Sequence, residues 1–199
     1  SLGIDNVRVE VDGPEIPVMD GSSASFVFLL RAAGIFDQSC ERRRMRIRRP
    51  IEVSDGERSI RIDPGRSLRV SYSVDYTQPT IGHQALEGYT LTRESFDREI
   101  CRARTIGILH EVEALWRNGL ARGGNLDNTV VMDESRVLNC DGLRWADEFV
   151  RHKVLDLIGD LALIGMPVEG HIVVERGGHA LHQQLVREIL ETPEAWRIE

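Results

Sequence analysis

Cysteine is scarce: Cys40, Cys101 and Cys140 are the only three in 199 residues, far apart and in no CxxC pair. That excludes a disulfide frame and a zinc knuckle, and predicts reduced thiols filling buried or half-buried positions in a cytoplasm. No apolar run reaches the ~20 residues of a membrane span. The opening SLGIDNVRVEV has neither the basic nor the apolar region of a secretory signal, so a secreted precursor is not expected. An excess of positive charge is also missing. Twenty-five Lys and Arg face 32 Asp and Glu, for a net charge of −7, which argues against general nucleic-acid binding. One basic run, Arg42, Arg43, Arg44, Arg46, Arg48 and Arg49, alternates with Met45, Ile47 and Ile51 and reads as an exposed strand face. Contact with phosphate or anionic lipid is its less favoured reading.

What is present is the composition of a globular protein, 41% hydrophobic and 29% charged, long enough for one large domain or one domain and part of another. Val7, Val9 and Val11 alternate with charged residues and predict a half-buried strand. PEIPVMDGSS enforces a turn, and a helix is expected from Ser23 to Ala33, stopped by Gly34. Short strands follow at Met45 to Val53, Ser59 to Ile62 and Leu68 to Tyr76, with turns at Asp55-Gly56 and Asp63-Pro64-Gly65, as in an antiparallel meander. A strand at Tyr89 to Thr92 and a helix from about Thr92 to Ala103 come next. A boundary near Cys40 divides residues 1–40 (strand, loop and helix) from residues 41–199. Thr105 to Met132 reads as an insertion, with a helix over His110 to Arg117, a turn at Arg122 to Gly124 and a strand at Asn128 to Met132. Its apolar residues, among them Ile108, Val112, Leu115, Leu120, Leu126 and Val131, either pack on the main sheet or line a groove for a chain-like ligand. Val168 to Glu175 predicts a strand, Gly177-Gly178 a tight turn and Ala180 to Leu190 a closing helix.

Between these lies WADEFVRHKVLDLIGDLALIG, Trp145 to Gly165, whose apolar residues recur at three- and four-residue spacing. A helix this apolar has little room for charge, yet His152, Asp156 and Asp160 fall within about 80° of one another on one face at 100° per residue. An imidazole and a carboxylate one turn apart can converge on one cation, so His152 and Asp156 are candidate metal ligands; an ordinary i,i+4 charge pair is the competing reading. Asp160 is a third ionisable group that burial penalises unless it is paired. His179 follows two glycines at a strand-to-helix junction. A carboxylate from Asp160 facing it would orient the ring and favour its imidazolium, a general acid; alone it would be a surface or capping histidine. His182 competes for that role but is expected in the helix body. Thr105, at the end of CRART, either bonds a nearby carbonyl or donates to an oxyanion.

IDNVRVEVDGPEIPVMDGSSASFVFLL (Ile4 to Leu30), CRARTIG (Cys101 to Gly107), VLNCDGLRWADEFVRHKVLDLIGDL (Val137 to Leu161) and GGHALH (Gly177 to His182) resemble the zinc-dependent UDP-3-O-acyl-N-acetylglucosamine deacetylases of Gram-negative lipid A biosynthesis. The resemblance runs over nearly the whole chain. It implies an α+β fold: a two-layer helix-on-sheet sandwich, the second of two similar units, with an inserted β-α-β excursion at about residues 105–132. It implies that His152 and Asp156 are zinc ligands, that Asp160 and His179 are the aspartate and general acid, and that Thr105 is the oxyanion donor. Lys153 matches a lysine at the substrate's phosphate side and Tyr76 an aromatic residue against the nucleotide. Ile106, Val112, Leu126 and Val131 belong to the acyl-chain passage, Ile106 standing where some relatives have phenylalanine. The family's third zinc ligand and its glutamate base have no counterpart here, so the expectation is a C-terminal portion that is inactive alone and needs the missing part of the same enzyme. The implied substrate is UDP-3-O-acyl-N-acetylglucosamine and the implied setting a cytoplasmic enzyme with peripheral contact to the inner membrane. A non-catalytic module that binds an acylated nucleotide sugar, and a structural domain, are the alternatives.

Overall fold

The computed structural model describes residues 1–110, 112, 117–119 and 123–199. The chain is α+β. Residues 1–23 run without regular structure into helix α1 (Ala24–Ala33), which ends on Gly34 at φ 88. The strand expected over Val7 to Val11 does not form. Alternation alone makes no strand without a neighbour to take the ladder hydrogen bonds, and among the described residues none pairs with it, so all three valines are exposed. Ser23 does not cap α1; its hydroxyl donates to the carbonyl of Cys101 instead.

Strands β1 (Met45–Ile47), β2 (Ile51–Asp55), β3 (Arg58–Asp63), β4 (Leu68–Asp75) and β5 (His83–Thr90) follow, and β1 and β2 are separate because Pro50 interrupts the expected Met45 to Val53 run. A capped turn, α2 (Arg93–Ser95), continues as a π-helical stretch over Phe96–Ile100. β6 (Ile106–Ile108) and β7 (Val130–Met132) pair in parallel as a separate two-stranded sheet. The chain closes with helix α3 (Glu148–Leu161), strand β8 (Val168–Glu175), helix α4 (His179–Glu191) and a short β9 (Trp196–Ile198). The helix predicted over His110 to Arg117 falls mostly outside the described residues, as do Leu115, Leu120 and Arg122.

The expected meander is overturned at its centre. β8 sits between β3, antiparallel to it, and β4, parallel to it, and its first two residues pair with β1. Val168, Ile172 and Val174 are accordingly buried, as suits a strand flanked on both sides. α3 lies on β4 and β5, α4 on β2 and β3, and the two helices touch. The basic run has a local cause: Arg44 and Arg46 reach Glu169 of β8 at 3.0 and 2.7 Å. Cys101 is buried, but Cys40 and Cys140 are exposed and fill nothing. No helix among the described residues is long and apolar enough to cross a membrane.

Candidate functional site

α3 buries Phe149, Val150, Val154, Leu157 and Leu161 against the sheet, and this sets the direction of its remaining face. His152, also buried, donates from Nδ1 to the carbonyl of Ala103 at 3.0 Å. A carbonyl only accepts, so in the neutral ring Nε2 carries a lone pair, and it lies 3.3 Å from Oδ1 of Asp156. Burial pushes the imidazole below its ordinary pKa despite Asp156 and the Ala103 contact, which keeps it neutral near pH 7. Two acceptors thus face one another at a distance that asks for a cation between them. An imidazole nitrogen with its other nitrogen on a backbone carbonyl, beside a carboxylate oxygen, is a donor set that fits zinc. Among the described residues no third His, Cys, Asp or Glu donor joins these two in a metal-sized group.

The other oxygen of Asp156 accepts from Lys153, the only lysine in the sequence, at 3.0 Å. Burial works against the Lys153 charge, but Asp156 outweighs it and the ammonium is held above its ordinary pKa. One turn on, Oδ2 of Asp160 accepts from Nδ1 of His179 at 2.8 Å and from Nδ1 of His182 at 2.8 Å. His179 opens α4 and points Nε2 toward Asp156, 3.8 Å away. His182 is fully buried in the helix body, with the Tyr72 hydroxyl 3.0 Å from its Nε2. Asp160, His179 and His182 form the only group of three possible metal donors among the described residues.

Thr105 stands two residues beyond the carbonyl that holds His152. Between them Arg104 is buried in an ion pair with Glu148, the first residue of α3, at 2.9 Å. The Thr105 backbone N–H donates to Gly21 of the MDGS turn at 2.7 Å, and a Cβ on Gly21 (φ 77) would lie 2.0 Å from the Asn128 carbonyl oxygen. Only glycine permits that approach. Asp20 accepts from Arg144 at 2.9 Å, so the same turn also binds the segment that leads into α3.

Tyr76 is half-buried and bridges the main core and a smaller one of Ile81, Ile108, Val130, Met132 and Phe149. It also lines a cleft of about 600 Å³ with Asp75, Arg176 and Gly177. Of the proposed passage residues, Ile106 packs on the small core, Val131 is buried, Val112 is half-buried and Leu126 is exposed. Sequence reasoning placed His152, Asp156, Asp160 and His179 together. It missed Tyr72, the Ala103 carbonyl and the Arg104–Glu148 pair; only His182, three residues after His179 on the same helix face, carried a usable signal.

A family model described as UDP-3-O-acyl N-acetylglycosamine deacetylase matches residues 1–191. A protein of Acidithiobacillus ferrooxidans named UDP-3-O-acyl-N-acetylglucosamine deacetylase is 49% identical over 196 residues, 98% of this chain and 64% of that relative. Proteins of the same name from Myxococcus xanthus and Anaeromyxobacter sp. are each 47% identical over 197 residues, 99% of this chain and 62% and 64% of theirs. The chain therefore spans a little under two thirds of the length of the curated relatives it matches.

Proposed function

The chain belongs to the UDP-3-O-acyl N-acetylglycosamine deacetylase family, and from that premise we propose that it carries part of a zinc-dependent site that hydrolyses the acetamide of UDP-3-O-acyl-N-acetylglucosamine in lipid A biosynthesis. The observation that carries this reading is the pair of facing acceptors on His152 and Asp156, 3.3 Å apart, beside the Asp160–His179 pair. In this reading His152 and Asp156 hold the zinc, which supplies Lewis-acid polarisation of the amide carbonyl and of water. Water adds to the acetyl carbon, giving up its proton to the family's glutamate base, which these 199 residues do not include, and the C–N bond breaks, so that acetate and a free amino sugar nucleotide leave. The Thr105 hydroxyl donates to the oxygen that gains charge, and His179, oriented by Asp160, delivers a proton to the departing nitrogen. Lys153 neutralises Asp156 and faces the phosphate side, Tyr76 contacts the nucleotide, and Ile106, Val112, Leu126 and Val131 serve the acyl passage. The arrangement of two similar helix-on-sheet units, and a cytoplasmic setting with peripheral membrane contact, belong to the same reading.

Two donors are fewer than the three protein ligands a catalytic zinc takes, so we propose that these 199 residues hold zinc weakly and do not turn over by themselves. Zinc affinity of the wild type and of Asp156→Ala, read by competition with a chromophoric chelator, tests the site. The expected result is one zinc per chain and a loss of more than about 100-fold in the variant, beyond what outer-shell changes cause. Equal affinity in the two chains, or full deacetylase turnover by this chain, overturns the proposal.

A further inference from the structure

His182 has no role in the reaction just described, yet it is fully buried and both of its ring nitrogens are engaged. The direction of the proton along this network follows from Tyr72. That phenol is buried, which holds its proton on, and His182 is its hydrogen-bond partner. If the hydroxyl donates, Nε2 of His182 accepts and the ring proton stays on Nδ1, which donates it in a hydrogen bond to the Asp160 carboxylate. The reverse direction would leave a bare Nδ1 facing a carboxylate, or an imidazolium without water around it, and both are disfavoured by burial. The chain of donors therefore runs from Tyr72 to His182 to Asp160, and His179 meets the same Asp160 oxygen, also at 2.8 Å. A nitrogen that carries the proton is closed to a metal, so hydrogen bonding accounts for this three-residue group without an ion.

We infer that Tyr72 and His182 form a rigid arm that fixes the Asp160 carboxylate for His179, which makes His182 a positioning residue of the acid pair. The inference rests on the roles proposed above for Asp160 and His179. His179 needs such support because its side chain is 60% exposed, whereas the side chain of His182 is 0% exposed. A single contact from a solvated ring to a carboxylate is weak; a carboxylate already aimed by a buried ring offers a fixed acceptor. The turn before His179 is shaped around the arm. A Cβ on Gly177 would lie 2.7 Å from the Tyr72 hydroxyl oxygen, 3.3 Å from Nε2 of His182 and 2.3 Å from Cγ1 of Val174. The first glycine of GGHALH is thus the residue that lets backbone and arm touch. His179 inherits its placement from the same contact.

The test is nitrogen-resolved NMR of the imidazole rings in this 199-residue chain at fixed neutral pH, metal-free. In the wild type His182 is expected as the Nδ1–H tautomer with a slowly exchanging ring proton, and His179 with a proton fixed on Nδ1 toward Asp160. His182→Ala is expected to release the fixed Nδ1–H of His179 from Asp160. His182→Asn, whose amide N–H stands two bonds from Cβ as Nδ1 does, is expected to restore it. Tyr72→Phe removes one oxygen atom and serves if His182→Ala does not fold; there the protected His182 proton is expected to be lost. An unchanged His179 ring in folded His182→Ala, or an unchanged His182 ring in Tyr72→Phe, overturns the inference. So does a shift of both Nδ1 signals when one equivalent of zinc is added to Asp156→Ala, because the metal would then sit on Nδ1. Zinc affinity of His182→Ala separates the two readings: zinc retained with a disordered His179 supports the arm, and zinc lost through Asp156→Ala alone bears only on the site proposed earlier.

Discussion

The Ala103 carbonyl accepts a hydrogen bond from Nδ1 of His152 at 3.0 Å, and that one contact turns a buried histidine from a packing residue into a lone-pair donor aimed at Asp156. A ligand that binds the folded chain there stabilises it by mass action. At zinc about 100-fold above its dissociation constant, the wild type is expected to gain about 2.7 kcal/mol and Asp156→Ala less than about 0.4 kcal/mol; melting temperatures at two zinc concentrations check this. Glu169 shows the opposite use of a buried charge. Burial raises its pKa, but hydrogen bonds from Arg46 and Arg44 outweigh that and hold it below its ordinary 4.5. The folded value is therefore the depressed one. Its stabilisation is full above about pH 4.5 and is lost as pH falls through the folded value. Glu169→Gln is expected to be less stable than wild type at pH 7, with the difference shrinking as pH falls below about 4.5, as urea unfolding at a series of pH values would show.

Between elements, Arg104 and Glu148 join the CRART loop to the first turn of α3. Glu148 accepts from the Arg104 backbone N–H at 3.0 Å and from the Arg144 backbone N–H at 2.6 Å besides the guanidinium. Removing one partner strands a buried charge, so Glu148→Ala should cost about 3–5 kcal/mol and move the Ala103 carbonyl off His152. Arg104→Met with Glu148→Leu should recover part of that loss, because no charge is left buried, but not all of it, because the backbone N–H groups of residues 104 and 144 lose their acceptor. Unfolding free energies of the three chains decide it. The same scale shows why parts of the fold were legible and others were not. β8 matches its predicted span because a strand flanked on both sides is apolar along its length. Its place between β3 and β4 was hidden, since no residue of Leu68 to Tyr76 records which neighbour supplies its ladder.

Over the whole molecule, the exposed large apolar residues are concentrated in one stretch. Among the described residues, ten of the fourteen lie between Val7 and Phe36, with Phe28 71% and Phe36 85% exposed. A patch of that kind drives association. Phe28→Ser with Phe36→Ser is expected to lower self-association of this chain in sedimentation velocity while leaving its melting temperature within about 2 °C, because surface positions contribute little to stability.

By itself the sequence determined the helix around His152, its polar face, and the closing strand and helix. Each of these depends on spacing along one element or on a motif contiguous in the chain. Only the tertiary structure decided that Ala103 orients His152, that Tyr72 reaches His182 from a strand 110 positions away, and that Gly21 and Gly177 are glycines because other atoms occupy the space of a Cβ. Such contacts arise from where packing brings distant segments together, and local periodicity holds no record of that.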